Sequence, residues 1–502
     1  MLFNSIPFVL GFLPAVLAGF FALGRLGGQR AALLFLIGAS LFFYGWWNPP
    51  FVLLLGGSIL GNYAIGRRLA GARRAGRDRN GQDRNGEDRA GRCWLAFGVA
   101  ANLGLLGWFK YAGFLAGSIA ALFGRQAPEL HIFLPLAISF FTFQQIMYLA
   151  DLRAGTGPDR GFLGYAAFVA FFPHLIAGPI VRPCEVIPQL LAPDVARPRL
   201  DALCDGATVF LLGLAKKLVL ADMFAQFADV GFHAAAGGAR LSFFSAWYAA
   251  AAYGLQIYFD FSGYSDMAIG LARMLNVRFP LNFDSPYKAR DIAAFWRRWH
   301  ITLGAFLRDY LYIPLGGSRG GEWLRARNLM LTMLLCGLWH GAAWRFVLWG
   351  GLHGVFLVVH AAWKRTGLRL PAPAAQALTL VAVVAAWVPF RAARLGTAAS
   401  VLRGMAGLHG VLLPAMILHW LPVLGLIATP APLLAHLGSA RTLAFPEVSA
   451  CLALGWAIAL GAPQLHDLTA RGRSLALTLG FAFTVQALFF APAVVPFLYF
   501  RF

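Results

Sequence analysis

Apolar runs recur along this chain from end to end, separated by short breaks rich in Arg, Gly and Pro. A helix needs about 20 apolar residues to cross a hydrocarbon core about 30 Å thick. The pattern therefore predicts an all-α, polytopic membrane protein. Residues 7–24 form the first expected span. No Lys or Arg precedes them, so the basic segment of a removable leader is missing and the run reads as a membrane helix. A second span at 31–47 ends in Tyr44, Trp46 and Trp47, aromatic residues suited to the membrane–water interface. Asn48-Pro49-Pro50 predicts a turn, and 51–66 a third span. Further spans are expected near 94–108, 111–124, 131–150, 161–181, 206–225, 243–259, 328–341, 344–362, 374–390, 411–428, 449–462 and 474–496. Several are short or interrupted by Gly and Pro, which is tolerated where a helix is buried in protein or lines a cavity. The expected total is roughly eleven to thirteen membrane helices, with no free-standing soluble domain.

Composition supports this. The chain is 59% hydrophobic and 13% charged, where a soluble domain carries about 25% charge, and its mean hydropathy is +0.66. The formal net charge is +21, from 42 basic and 21 acidic residues. That excess lies in short loops between apolar runs, as the positive-inside rule requires. A nucleic-acid-binding protein would gather it in one soluble domain, so no nucleic-acid partner is expected. Arg25 and Arg30 after the first span put that junction in the cytoplasm and the N-terminus outside.

Counting three spans also makes the segment 67–92 cytoplasmic. It holds nine Arg against four acidic residues, so charge and span count agree. It contains a five-residue repeat beginning at Asp78, Asp83 and Asp88, with almost no apolar side chain. Such a segment has no core to bury, and it is expected to be a disordered, Arg-rich cytoplasmic loop. Contact with anionic headgroups is the alternative use. The five cysteines, Cys93, Cys184, Cys204, Cys336 and Cys451, form no CxxC pair and suggest neither a disulfide framework nor a zinc site.

Polar side chains inside apolar segments carry the functional signal, because an ionisable group at membrane depth is costly. His174 beside Pro173 reads best as a hydrogen-bonded packing residue. Lys216 and Lys217 read best as interfacial lysines that snorkel toward the cytoplasmic headgroups. The stretch 259–353 is the densest. At about 100° per residue, a helix over 290–310 would gather Trp296, Trp299, Leu303, Leu307 and Tyr310 on one face. His300 would sit at its edge, flanked by Arg297 and Arg308. An interfacial amphipathic helix is the competing account. His340 ends a nearly apolar run from Asn328, about 18 Å along a helix axis. Gly337 and Gly341 leave room beside it. A neutral imidazole there is a candidate general base. His353, in a second His-Gly pair, is a rival for that role.

The sequence has no HExxH, which removes one common hydrolytic site. Acyl transfer from a thioester to a hydroxyl fits better. The thioester is already activated, and the protein supplies a base, oxyanion stabilisation and exclusion of water.

Three blocks, YFDFSGYSDMAIG (258–270), FWRRWHITLGAFLRDYLYIPLGG (295–317) and GLWHG (337–341), resemble the signature blocks of the membrane-bound O-acyltransferase family. The match is closest to its bacterial branch, typified by the membrane subunit of alginate O-acetylation. LFFYGWW (41–47), WFKYAGF (108–114), LPLAISFFTFQQIMYLAD (134–151) and FFPHLIAGPIVRP (171–183) resemble that branch too. The resemblance covers about residues 1–365, which it implies are the acyltransferase core. Residues 366–502 are then additional C-terminal membrane helices packed on that core. The segment 67–92 is an insertion relative to the branch.

The resemblance implies a ring of tilted transmembrane and re-entrant helices with a thin centre, where a cytoplasmic and an outer funnel meet. It implies that His340 is the proposed catalytic histidine and His300 the second polar position, which many relatives fill with Asn or His. It also implies a separate extracytoplasmic partner, an SGNH-type acetyltransferase, that modifies a polysaccharide.

The expected function is an inner-membrane O-acyltransferase. It would pass an acetyl or short acyl group from a cytoplasmic thioester, acetyl-CoA or an acyl-carrier thioester, to the O-acetylation of an alginate- or cellulose-like exopolysaccharide. No bound cofactor or metal is expected. The partners are membrane lipid, the acyl donor, the extracytoplasmic acetyltransferase and, indirectly, the polysaccharide. His340 would be the base and His300 the positioning group. Trp296, Trp299, Trp339, Arg297, Arg308, Asp309, Asp260 and Ser262 would contact substrate, with Asp266 shaping the site. For the carboxylates and Ser262, helix capping or buried hydrogen bonding competes with that use. Two other classes stay open at this point, a transporter or flippase with a midplane histidine proton relay and a non-catalytic scaffold.

Overall fold

The computed structural model describes residues 1–75, 85–157, 161–411, 445–463, 482 and 497–498. Among them the regular elements are helical, and the one isolated β-bridge joins Phe283 and Trp299. The helices are α1 (Leu13–Leu26), α2 (Gly28–Gly45), α3 (Pro50–Ala75), α4 (Asn85–Leu106), α5 (Ala112–Leu122), α6 (Ile138–Ala154), α7 (Gly161–Ala170), α8 (Phe172–Leu175), α9 (Pro183–Leu190) and α10 (Leu200–Ala215). They continue with α11 (Asp222–Ala236), α12 (Phe243–Met274), α13 (Ile292–Arg298), α14 (Ile301–Leu307), α15 (Glu322–His340), α16 (Trp344–Trp363), α17 (Ala372–Arg391), α18 (Leu395–Met405) and α19 (Phe445–Gly461). Five described stretches are long and apolar enough to cross a bilayer: Pro7–Leu26, Gly28–Gly45, Arg89–Leu122, Trp344–Trp363 and Ala372–Arg391. The protein is thus an all-α, multi-pass membrane protein.

Several boundaries differ from those expected. The two spans expected at 94–108 and 111–124 are one continuous helical stretch. A π-helical turn at Gly107–Tyr111 carries α4 into α5. The segment expected to be a loop from Arg67 is helical to Ala75 and again from Asn85. Arg and Ala are good helix formers, and the charge of that stretch hid their propensity. Residues 76–84, and the spans expected near 411–428 and 474–496, lie outside the described residues apart from Val411 and Ala482.

The chain divides into two compact units interleaved in sequence. One holds 1–214, 264–281 and 490–500; the other holds 215–263, 282–489 and 501–502. In the first unit the N-terminal segment packs through phenylalanines. Phe3, Phe8 and Phe43 pack together with centroids 4.8–5.8 Å apart, and Phe172 meets Phe12 edge-on at 5.4 Å. His174 belongs to this unit. It is fully buried, its Nδ1 lies 2.5 Å from Gln144 Nε2, and Phe168, Phe171 and Phe279 surround it. It is a packing histidine, as its proline-flanked position suggested.

In the second unit α15 and α16 approach most closely. A Cβ at Gly337 would strike the carbonyl oxygen of Phe346, and a Cβ at Gly350 would strike that of Met333. Small residues let membrane helices bring their backbones together. Here they set His340 on α15 against Trp349 on α16. Lys217 lies in the same unit and corrects the expectation of an interfacial lysine. It is 1% exposed and forms ion pairs with Asp222 (2.6 Å) and Asp260 (2.8 Å). A buried ammonium needs such partners. Asp260 lies 43 positions along the chain, beyond the reach of any local pattern.

Candidate active site

The helix expected over 290–310 is two helices. Asp291 caps the first, its carboxylate accepting from the Ala294 N–H at 2.6 Å. α13 then stops at Arg298. Trp299 is extended, and His300 adopts the left-handed region at φ 45°. The break is held from outside: Asp284 N–H donates to the Arg298 carbonyl, and Ile301 N–H to the Asn282 carbonyl, both at 2.9 Å. Residues 298–301 exchange helical bonds for a short ladder against 282–284. A left-handed conformation is uncommon outside glycine, and such strain persists only when its surroundings over-determine it. Hydrophobic periodicity missed the break because the apolar pattern resumes in register two residues later.

The break aims the His300 ring into the interior, where it is 1% exposed. Its Nδ1 lies 3.0 Å from Asn282 Oδ1. The same oxygen accepts from the Thr302 N–H (3.3 Å) and hydroxyl (2.9 Å). A backbone N–H only donates, so the Asn282 atom facing it is the oxygen, and His300 Nδ1 must carry the proton. Nε2 is then the lone-pair nitrogen. It is buried, with no hydrogen-bond partner among the described residues.

The imidazoles of His300 and His340 both touch the indole of Trp339, with centroids at 6.2 and 4.8 Å. His340 also packs edge-on against Trp349 (5.0 Å) and Phe390 (5.2 Å). Phe261, between Asp260 and Ser262 on α12, meets the His300 ring at 4.7 Å. Trp299 turns toward Trp387 at 4.9 Å.

His353 is set differently. It is fully buried, and its Nδ1 accepts from the Trp296 indole N–H at 3.3 Å. Trp349 lies 4.9 Å away and Phe295 6.2 Å. Its lone pair is taken by Trp296, so it fits a packing role better than that of a base.

The other expected site residues divide. Trp296, Trp299 and Trp339 belong to this aromatic cluster. Asp260 is buried and paired with Lys217, and the Ser262 hydroxyl is buried without a partner among the described residues. Arg297 is exposed, and Arg308 pairs with its neighbour Asp309 at 2.7 Å from a largely exposed position. Among the described residues no hydrogen bond or ring contact joins Arg297 or Arg308 to either histidine. They diverge because the break at His300 ends the common helix face that the expectation assumed. Asp266 is half-buried. Sequence reasoning missed Asn282, Trp349, Trp387 and Phe390. Asn282 carried a usable signal, a lone amide among apolar residues in FPLNFDSPY. The others look like ordinary membrane-helix aromatics. No group of His, Cys, Asp or Glu that could hold a metal occurs among the described residues.

Comparison with known proteins gives the family. Residues 159–390 match the model of the membrane-bound O-acyltransferase family. The chain is 42% identical over 441 residues to a peptidoglycan O-acetyltransferase of Helicobacter pylori, covering 82% of this chain and 81% of that one. It is 41% identical over 407 residues to a probable alginate O-acetylase of Pseudomonas aeruginosa, covering 79% and 73%. A teichoic acid D-alanyltransferase of Streptococcus thermophilus is more distant, 29% identical over 241 residues, 46% of this chain and 57% of that one. With two relatives above 40% identity over about four fifths of its length, this chain belongs to the membrane-bound O-acyltransferase family and is an acyltransferase.

Proposed function

We propose that this protein transfers an acetyl or other short acyl group from a cytoplasmic thioester, acetyl-CoA or an acyl-carrier thioester, to an acceptor on the far side of the bacterial inner membrane. The acyl group serves O-acetylation of an exported polysaccharide, alginate- or cellulose-like, through an SGNH-type extracytoplasmic partner. The N-terminus faces outward, because Arg25, Arg30 and the nine arginines of 67–92 then fall in the cytoplasm. The names of the relatives support a glycan acceptor, alginate in one and peptidoglycan in the other.

In the transfer step, the acceptor oxygen bonds to the thioester carbonyl carbon and the C–S bond breaks. An imidazole takes the hydroxyl proton and returns it to the leaving thiolate. His340 is the base in the first reading, with His300 orienting the hydroxyl. A second reading exchanges the roles, favoured by the Asn282 bond that leaves His300 Nε2 as the acceptor nitrogen. The observation that carries the proposal is this pair of buried imidazoles, both against the Trp339 indole in one aromatic cluster. Exclusion of water protects a thioester from hydrolysis.

His340→Gln and His300→Gln, assayed in proteoliposomes with radiolabelled acetyl donor, test both readings. Glutamine hydrogen-bonds but takes no proton near neutrality. The variant that removes the base should lose about 10²–10⁴-fold in rate, and the other should lose less. Full activity in both would remove imidazole catalysis from the mechanism.

A further inference from the structure

Beyond the histidine cluster, the end of α17 gathers charge that acyl transfer to a neutral hydroxyl does not require. Phe390 packs its ring on His340, and its carbonyl accepts from Arg345 Nη1 at 3.0 Å. The same nitrogen reaches the Ala392 carbonyl at 2.8 Å, and the guanidinium lies 4.2 Å over the Phe346 ring. The next residue, Arg391, pairs with Asp229 of α11, and its guanidinium lies 5.5 Å from the Phe232 ring centroid and 5.9 Å from that of Tyr253. Arg345 thus holds the carbonyls on either side of Arg391. Tyr253 is fully buried, and its hydroxyl has no hydrogen-bond partner among the described residues; nor has Arg391 Nε.

Asp229 neutralises Arg391, which leaves two orphaned donors in this cluster, Arg391 Nε and the Tyr253 hydroxyl. A buried hydroxyl and a guanidinium N–H left without acceptors are both costly. A singly charged oxyanion would offset both. It would draw a bidentate contact from a guanidinium and the orphaned hydrogen bond of Tyr253. The cluster is reachable, since the Arg391 and Asp229 side chains are 16% and 30% exposed.

We propose that Arg345, Arg391 and Tyr253 form a binding site for a carboxylate or phosphodiester group carried by the acyl acceptor, with Asp229 as the counter-ion it displaces. The site lies at the end of α15 and α17 away from the basic start of α15 and the Lys364-Arg365 end of α16. By the positive-inside rule those basic ends face the cytoplasm, which puts the cluster on the acceptor's side. Naming the acceptor as carrier rests on that reading of function; the oxyanion site rests on the cluster alone.

The test is titration of the full-length protein in phosphatidylcholine nanodiscs with D-glucuronate and with dimethyl phosphate, using D-glucose as the neutral control. Saturable binding of the anions but not of glucose is expected. Tyr253→Phe and Arg345→Gln should each weaken it about tenfold or more, the loss of one charge-assisted hydrogen bond. Asp229→Asn should tighten it about tenfold, because it frees Arg391. A purely structural ion pair would give no gain from Asp229→Asn, and that result, or the absence of saturable binding, overturns the site. Repeating the titration in phosphatidylglycerol nanodiscs separates the sources: if that headgroup alone abolishes anion binding, the ligand is lipid and the acceptor assignment fails. Acyl transfer measured on the same preparations keeps the two proposals apart. A protein that transfers but binds no anion loses the site alone, and one that binds but transfers nothing keeps it.

Discussion

His300 Nδ1 and Asn282 Oδ1 lie 3.0 Å apart across a break between two short helices, and that one oxygen also receives both the N–H and the hydroxyl of Thr302. The amide therefore ties the tautomer of the histidine to the backbone that creates the break. A ring nitrogen is useful as an acceptor only if its proton is kept on the other nitrogen, and Asn282 keeps it there. Asn282→Ala should lower acyl transfer about 10²-fold while the protein still inserts. Asn282→Asp retains the accepting oxygen and should keep more of the rate. Thr302→Val removes one of three donors and should cost less than about tenfold. Radiolabelled transfer in proteoliposomes measures all three. Equal losses in the Ala and Asp variants would show that Asn282 acts by bulk and not by its oxygen.

Lys217, Asp222 and Asp260 make the second prediction. The lysine side chain is 2% exposed, and its partners are 17% and 4% exposed. Removing one member of a buried ion pair leaves the other charge without compensation, at a cost of about 3–5 kcal/mol. Lys217→Met should lower the melting temperature of the detergent-solubilised protein markedly. Adding Asp260→Asn to the same chain should recover part of it. A single variant that melts with the parent would mean that the carboxylates find water or another cation.

These two cases show what the sequence could and could not disclose. The histidines at 300 and 340 were legible because each is an ionisable group in an apolar run, a local anomaly. The length of an apolar run likewise marked the spans at Pro7–Leu26 and Trp344–Trp363. What stayed hidden was long-range pairing. Lys217 looked interfacial because Asp260 is remote in sequence. The helix break at Trp299–His300 is imposed by residues 282–284 and leaves no mark on periodicity. Phe390 and Trp387, beyond the end of the resemblance at about residue 365, pack on the site but look like any membrane-helix aromatics.

Orientation gives the third prediction. Gly81 lies in the Arg-rich repeat, outside the described residues. In a background with the native cysteines replaced, including the exposed Cys93 and Cys204, a cysteine at Gly81 should resist a membrane-impermeant maleimide in intact spheroplasts. It should react after permeabilisation. Labelling in intact cells would invert the proposed topology of the first three helices, and with it the side assigned to the N-terminus.

The close approach of α15 and α16 gives the last prediction. Gly337 and Gly350 face one another so tightly that a Cβ on either would meet the backbone of the opposite helix, the Phe346 carbonyl for Gly337 and the Met333 carbonyl for Gly350. Backbone cannot swing aside as a flexible side chain can, so one added methyl must push the helices apart. Overpacking of this kind typically costs about 1–3 kcal/mol. The functional cost should be larger in proportion. His340 lies three residues after Gly337 on α15, and Trp349, its edge-on partner at 5.0 Å, immediately precedes Gly350 on α16. Separating the helices therefore displaces the imidazole relative to its wall. Misplacement of a reacting group by about 1 Å can cost about 10²-fold in rate. Gly337→Ala should therefore insert and purify with a modestly lowered melting temperature, yet lose acyl transfer by about that factor. Gly351→Ala is the control. Its added Cβ would meet only the Leu334 side chain at 3.5 Å, an ordinary contact, and its rate should match the parent. Equal activity in the two variants would show that the spacing of α15 and α16 does not set the position of His340.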